Sequence, residues 1–165
     1  MRILGIDPGY AITGIGAIDY DGYNFRPVKF GAITTKAGTD FNLRLLTIYE
    51  DMTSLVKEVK PDYIAIERLY FTSNQKTAID VAQARGIIVL VATQFGVPIF
   101  EYTPLQVKQS VVGYGKAEKK QVMEMTRSIL GLKEVPKPDD AADALALAIC
   151  HAHAGTSHFI KGEVK

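Results

Sequence analysis

At 165 residues, with 47% hydrophobic and 22% charged side chains, the chain is long enough for one domain with a real core and too apolar to stay disordered. Lys+Arg 19 against Asp+Glu 18 leaves a net charge of +1, so overall charge does not by itself single out nucleic acid, and the single cysteine, Cys150, excludes an internal disulfide. The longest apolar stretch, Ile87 to Ala92, is far short of the ~18 residues of a membrane span, and Met1-Arg2-Ile3 leads into strand-like sequence rather than a cleavable signal; a soluble, cytoplasmic protein with no membrane role is expected.

In chain order, Arg2 to Asp7 reads as a first strand, Pro8-Gly9-Tyr10 as a turn and Thr13 to Tyr20 as a second strand, with Asp21-Gly22 opening a hairpin into Tyr23 to Thr34. Phe41, Leu45, Ile48, Tyr49, Met52, Leu55, Val56 and Val59 recur at helical spacing, and Lys60-Pro61 stops that helix before a strand from Tyr63 to Glu67. A second helix is predicted from Asn74 to Phe95, then a short strand from Ile99 to Tyr102. Thr103-Pro104 caps a third helix through Val111, Lys116 to Leu130 forms a fourth, and Pro138 starts the last. Residues 1–154 are expected to form one domain, and 155–165, polar and without period, a flexible tail.

Three strands in antiparallel succession followed by helix-separated strands make an α/β fold: a mixed five-stranded sheet with helices on both faces, the ribonuclease H-like plan. Four carboxylates stand where apolar segments stop or start. Asp7 closes Ile3-Leu4-Gly5-Ile6, Glu67 closes Tyr63-Ile64-Ala65-Ile66, and Asp140 and Asp143 open the Ala/Leu-rich last helix. Parallel strands present their carboxyl ends on one edge, which makes Asp7 and Glu67 neighbours. So much negative charge at the rim of a core is costly unless a cation neutralises it, so the pattern suggests a metal site. Any one of these acids could instead be a solvated loop residue or a helix-dipole partner, least readily Asp143, which is surrounded by apolar neighbours. If the four acids are committed to a metal, the remaining surface is basic, as a phosphate-binding nuclease requires. His151, His153 and His158 read as surface residues, the first two on different faces of a helix. Asp7-Pro8-Gly9 alone is ambiguous, since ATPases of the sugar-kinase and actin type share this plan and hold nucleotide phosphates on an early Asp-x-Gly hairpin.

The further motifs arbitrate. Gly5-Ile6-Asp7-Pro8-Gly9, Pro61-Asp62-Tyr63-Ile64-Ala65-Ile66-Glu67, Gln83-Ala84-Arg85-Gly86, Tyr102-Thr103-Pro104-Leu105-Gln106-Val107-Lys108-Gln109, Val111-Val112-Gly113, Ala117-Glu118-Lys119 and Asp140-Ala141-Ala142-Asp143-Ala144-Leu145 follow one another over residues 1 to 153. This ordered set resembles the bacterial RuvC family of Holliday junction resolvases. The resemblance implies a homodimeric endodeoxyribonuclease of DNA recombination and repair, dependent on one or two Mg²⁺ ions per site with Mn²⁺ as a substitute. Such an enzyme nicks two opposing strands of like polarity at a four-way junction and leaves 5′-phosphomonoesters. It also implies a branch-migration complex of the RuvA and RuvB type as partner. Asp7, Glu67, Asp140 and Asp143 take the family's catalytic and metal-binding places, and hard carboxylate oxygens suit Mg²⁺ or Mn²⁺. Lys108 and Lys119 match basic residues near the cleavage site, with Lys116, Lys120 and Arg127 extending the basic face. Tyr70-Phe71 resembles an aromatic segment that stacks on unpaired bases, and either ring could be the wedge.

The helix from Asn74 to Phe95 has almost no polar stripe. It could be wholly internal, or one face could meet a two-fold partner, with Ala82 and Ala84 at the interface. Nucleases of this fold that act on RNA or RNA–DNA hybrids, and more distantly a phosphotransferase of the ATPase branch, are the alternatives.

Overall fold

The structure, a computed structural model, describes residues 1–69 and 75–156. Its elements are β1 (Arg2–Asp7), β2 (Ile12–Tyr20), β3 (Phe25–Thr34), α1 (Phe41–Val59), β4 (Tyr63–Glu67), α2 (Gln75–Gln94), β5 (Ile99–Tyr102), α3 (Pro104–Val112), α4 (Lys119–Ile129) and α5 (Asp139–Thr156). The strands form one mixed sheet in the order β3-β2-β1-β4-β5, with β1, β2 and β3 antiparallel and β4 and β5 parallel to β1. This is the expected sheet, and the expected bounds of β1, β4 and β5 hold to the residue. At the other end, Gly155 and Thr156 continue α5 rather than joining a tail, since one glycine costs a helix only about 1 kcal/mol.

Side chains alternate across the sheet and divide the interior in two. Leu4, Ile6, Ile64 and Ile66 point to one face, where they pack with Ile48, Met52 and Val56 of α1 and Ala84, Ile88 and Val91 of α2. Ile3, Ile18 and Ala65 point to the other, under α5 with its run of Leu145 to Cys150 and the flanking α3 and α4. The histidines depart from expectation because α5 is enclosed by the sheet on one side and by α3 and α4 on the other. His151 is 2% exposed. Its ring lies 4.6 Å from that of Phe100, its Nδ1 is 2.7 Å from Tyr102 Oη, and burial pulls its pKa down to about 4. His153 is half-buried, with Nδ1 3.1 Å from Ser110 Oγ. Cys150 is buried as expected, and burial lifts its thiol to about 11. His158 lies outside the described residues.

What lets α5 lie so low on the sheet is a trough of glycines. Gly5 of β1 stands opposite Gly16 of β2, and Gly14 stands opposite Asp7, all on the α5 face. A Cβ on Gly5 would sit 1.8 Å from the Ala144 carbonyl oxygen, one on Gly14 2.0 Å from the Asp140 carbonyl oxygen, and one on Gly16 2.7 Å from the Leu145 nitrogen. Backbone blocks each site, so no rotamer change makes room. Gly5→Ala should therefore lift α5 and destabilise the fold by roughly 3 kcal/mol or more. Gly31→Ala on β3, where a Cβ meets nothing within 4 Å, should change stability by less than about 1 kcal/mol. Urea melts of both variants check the contrast, and equal midpoints would refute the trough.

Candidate active site

Parallel pairing of β1 with β4 sets Ile6 beside Ile66, so Asp7 and Glu67 follow at adjoining strand ends on the α5 face. Their carboxyl groups stand close enough that each shifts the other's ionisation. From above, α5 supplies two more acids. The backbone of Asp140 lies against Gly14, the cross-strand partner of Asp7, and its side chain is half-buried, whereas Asp139 is exposed. One turn on, Asp143 Oδ2 accepts from Lys119 Nζ at 2.8 Å, and Lys119 is the first residue of α4.

Burial raises the pKa of Asp7, and the adjacent Glu67 and then Asp143 and Asp140 push it further up. Burial also raises Glu67. For Asp143 burial again dominates and lifts the pKa, partly offset by the Lys119 ammonium, whose own pKa the Asp143 hydrogen bond raises. Among the described residues no three His, Cys, Asp or Glu side chains converge as a closed ligand set. Asp7 and Glu67 crowd each other, and Asp143 is held by Lys119. The donors are nevertheless all hard carboxylate oxygens, and three of the four acids are pushed toward the neutral form. That is the chemistry a divalent cation relieves, so the residues fit such an ion.

A cavity of about 180 Å³ opens beside the acids, lined by Glu67, Asp143, Lys108 and Lys119 over a floor that includes Val107 and Leu147. The structure thus gathers the four acids with Lys108 and Lys119. Lys116 and Lys120 are exposed on either side of Lys119 and do not line the cavity. Arg127 is committed to Glu124 and the Leu132 carbonyl. Tyr70 and Phe71 lie outside the described residues. Ala84 is wholly buried against the sheet and is unavailable to a partner, while Ala82 is half-buried. Sequence reasoning missed the support of the Asp7 turn: buried Thr13 donates from Oγ1 to the Gly9 carbonyl at 2.6 Å. No pattern in the strand marks that threonine.

The family model described as crossover junction endodeoxyribonuclease RuvC matches residues 3–151. The chain belongs to this family. A crossover junction endodeoxyribonuclease RuvC of Brevibacillus brevis is 58% identical over 152 residues, 92% of each chain, and one of Caldanaerobacter subterraneus is 53% identical over 153 residues, 93% of each. Thermus thermophilus RuvC in complex with Holliday junction substrate superposes with a TM-score of 0.90 at 34% identity, covering 94% of this chain and 95% of that one. The yeast mitochondrial Holliday junction resolvase, at 15% identity and a TM-score of 0.65, shares the fold. The ribonuclease H-like class therefore holds, and RuvC family membership removes the phosphotransferase alternative.

The crowded acids carry a pH signature. Asp7 keeps its proton to about pH 8 when folded but only to about 3.8 when unfolded, so the metal-free native state binds more protons in that window and loses stability as pH rises through it. Asp7→Asn should remove most of this decline and leave the metal-free variant roughly 1–3 kcal/mol more stable than wild type at pH 8. A divalent cation should raise the wild-type melting temperature and that of the variant much less. Thermal melts in chelator and in excess cation check both, and a wild type indifferent to pH and cation would contradict the assignment.

Proposed function

We propose that this chain is a divalent-metal-dependent endodeoxyribonuclease of the cytoplasm that resolves four-way DNA junctions by paired nicks in two opposing strands of like polarity, leaving 5′-phosphomonoesters. One observation carries the reading: α5 brings Asp140 and Asp143 over Asp7 and Glu67, beside a cavity edged by Lys108 and Lys119, in a fold that superposes on a junction-bound relative. Asp7, Glu67, Asp140 and Asp143 would hold Mg²⁺, or Mn²⁺ in its place. Such ions, when bound, supply activation of the attacking water and stabilisation of the leaving 3′-oxygen. The protein's own part is positional. The β1–β4 pairing holds two acids, the glycine trough sets the height of the other two, and Val107 and Leu147 give the cavity an apolar floor. Lys119 steadies Asp143 and presents its ammonium where a phosphate would lie, with Lys108 beside it. Lys116 and Lys120 add charge to the approach, and Tyr70 or Phe71 stacks on bases opened at the junction.

Asp139 and Asp140 separate this reading from one in which the site is shifted by a residue. Asp140→Asn should bind a labelled four-way junction and fail to cut it, with cleavage lowered at least about 100-fold, whereas Asp139→Asn should cut near the wild-type rate. Gel assays with the junction, a linear duplex and an RNA–DNA hybrid, with and without Mg²⁺, supply the test. Preferred cutting of the hybrid would favour the other nuclease class.

The same proposal includes a homodimer that meets a RuvA- and RuvB-type branch-migration complex. Two like strands need two like sites, and α2 offers a surface for pairing. Ile79 and Leu90 are 57% and 48% exposed, on one stripe with exposed Gln83 and Gly86. A glycine there costs the helix about 1 kcal/mol against alanine, and a Cβ would meet nothing within 4 Å inside the protomer. Close approach of a second helix would explain it. Leu90→Asp should shift micromolar protein from dimer to folded monomer in sedimentation; a monomeric wild type would end the paired-site model.

A further inference from the structure

The turn that follows Asp7 is braced from the sheet face opposite α5. Thr35 donates from Oγ1 to the Tyr10 carbonyl at 2.6 Å and from its backbone nitrogen to the Ala11 carbonyl at 3.0 Å. Arg44, near the start of α1, donates from Nε to Thr35 Oγ1 at 2.8 Å. Its guanidinium carbon lies 4.6 Å from the centroid of the Tyr10 ring, and that ring packs at 6.1 Å from Phe41. One edge of the guanidinium is thus fixed by Thr35 and one face by an aromatic ring, which preorganises it and leaves its terminal amino groups for another partner.

That partner is not a carboxylate of the described protein. Arg2, Arg85 and Arg127 are bonded to Asp19, Glu101 and Glu124 respectively, whereas half-buried Arg44 pairs with none among the described residues. A partly desolvated cation without a counter-charge is a feature to expect where an anion docks. Its place in the fold says which anion. Lys108 and Lys119 approach the carboxyl edge of β1 and β4 from the α5 side, exposed Arg68 follows Glu67 on the edge itself, and Arg44 stands behind the Asp7 turn on the α1 side. Cations therefore bracket the acids from both faces of the sheet.

We propose that Arg44 binds a backbone phosphate flanking the scissile one and so holds the cut strand on the α1 side of the acids, as Lys108 and Lys119 hold it on the α5 side. The proposal rests on the reading of this edge as the DNA-cutting site. Tyr10 and Thr35 are then positioning residues that aim the guanidinium.

The test is binding of a labelled four-way junction in chelator, where metal plays no part, across 50–200 mM salt. Removing one phosphate contact lowers the slope of log K against log salt by about 0.9 and weakens binding about eightfold at 0.1 M salt. Arg44→Gln should show both effects and Arg44→Lys should keep most of the slope. Lys57→Gln, in the last turn of the same helix and away from the acids, should match wild type. Independently, bound junction should protect Arg44 of the wild-type protein from an arginine-specific dicarbonyl reagent, read by mass spectrometry. A wild-type slope in Arg44→Gln, an equal loss in Lys57→Gln, or full modification of Arg44 on the bound protein would each overturn the proposal, leaving Arg44 a brace of the turn. If Arg44→Gln does not fold, protection decides. Failure of the wild type to prefer the junction over a linear duplex would instead remove the resolvase reading, and this proposal with it.

Discussion

The geometry of this molecule depends on how closely one helix backbone can approach one sheet. An α-helix over a sheet is ordinarily held off by the side chains between them, yet here Gly5, Gly14 and Gly16 remove those side chains from the two strands under the first turns of α5. The helix answers with Ala141, Ala142, Ala144 and Ala148, small enough to fill the narrow gap that remains. Packing of this kind is intolerant: the sheet fixes where the helix may lie, and the helix in turn fixes where Asp140 and Asp143 fall relative to Asp7. Core and site are one construction, so a substitution far from any acid can disturb the chemistry through the height of the helix.

Electrostatics pull the other way. Four acids gathered where β1 and β4 end under α5, with Lys119 alone among the described residues bonded to any of them, work against the folded state when no cation is present. The raised pKa of Asp7 and the Lys119–Asp143 pair are how the protein bears that strain. The two compensations differ in kind. The first costs ionisation, and the second occupies a carboxylate with an exposed lysine side chain.

Much of this was legible from residue patterns. The runs Ile3 to Ile6 and Tyr63 to Ile66, each ended by an acid, fixed both strand type and the adjacency of Asp7 and Glu67, because short apolar runs flanked by turns have few other solutions in an α/β chain. Thr103-Pro104 marked a helix start that the structure bears out with a capping box to Gln106. What failed to show was whatever depends on three-dimensional enclosure. His151 looked exposed because helical spacing says which face a residue occupies, not whether that face is covered, and Tyr63, Phe100 and Tyr102 of β4 and β5 cover it. Ala84 was assigned to a partner surface by the same error in reverse: α2 is apolar nearly all round, and nothing in its sequence says which stripe the sheet takes. The Thr13, Thr35 and Arg44 supports were invisible since each is a side-chain bond set by how a turn or loop folds back, Thr13 onto Gly9, Thr35 onto Tyr10 and Arg44 onto Thr35, which no residue pattern announces.

The order of the elements has a bearing on how such a protein comes to be active. Every described strand, and with them Asp7 and Glu67, precedes α5 in the chain. A nascent chain on the ribosome can pair its sheet while one face still lacks its covering helix and half of the acids are unsynthesised or undocked. The helix that seals the hydrophobic interior is thus also the one that brings Asp140 and Asp143 to Asp7 and Glu67. Closure of the core and convergence of the four acids are thereby completed by a single docking event.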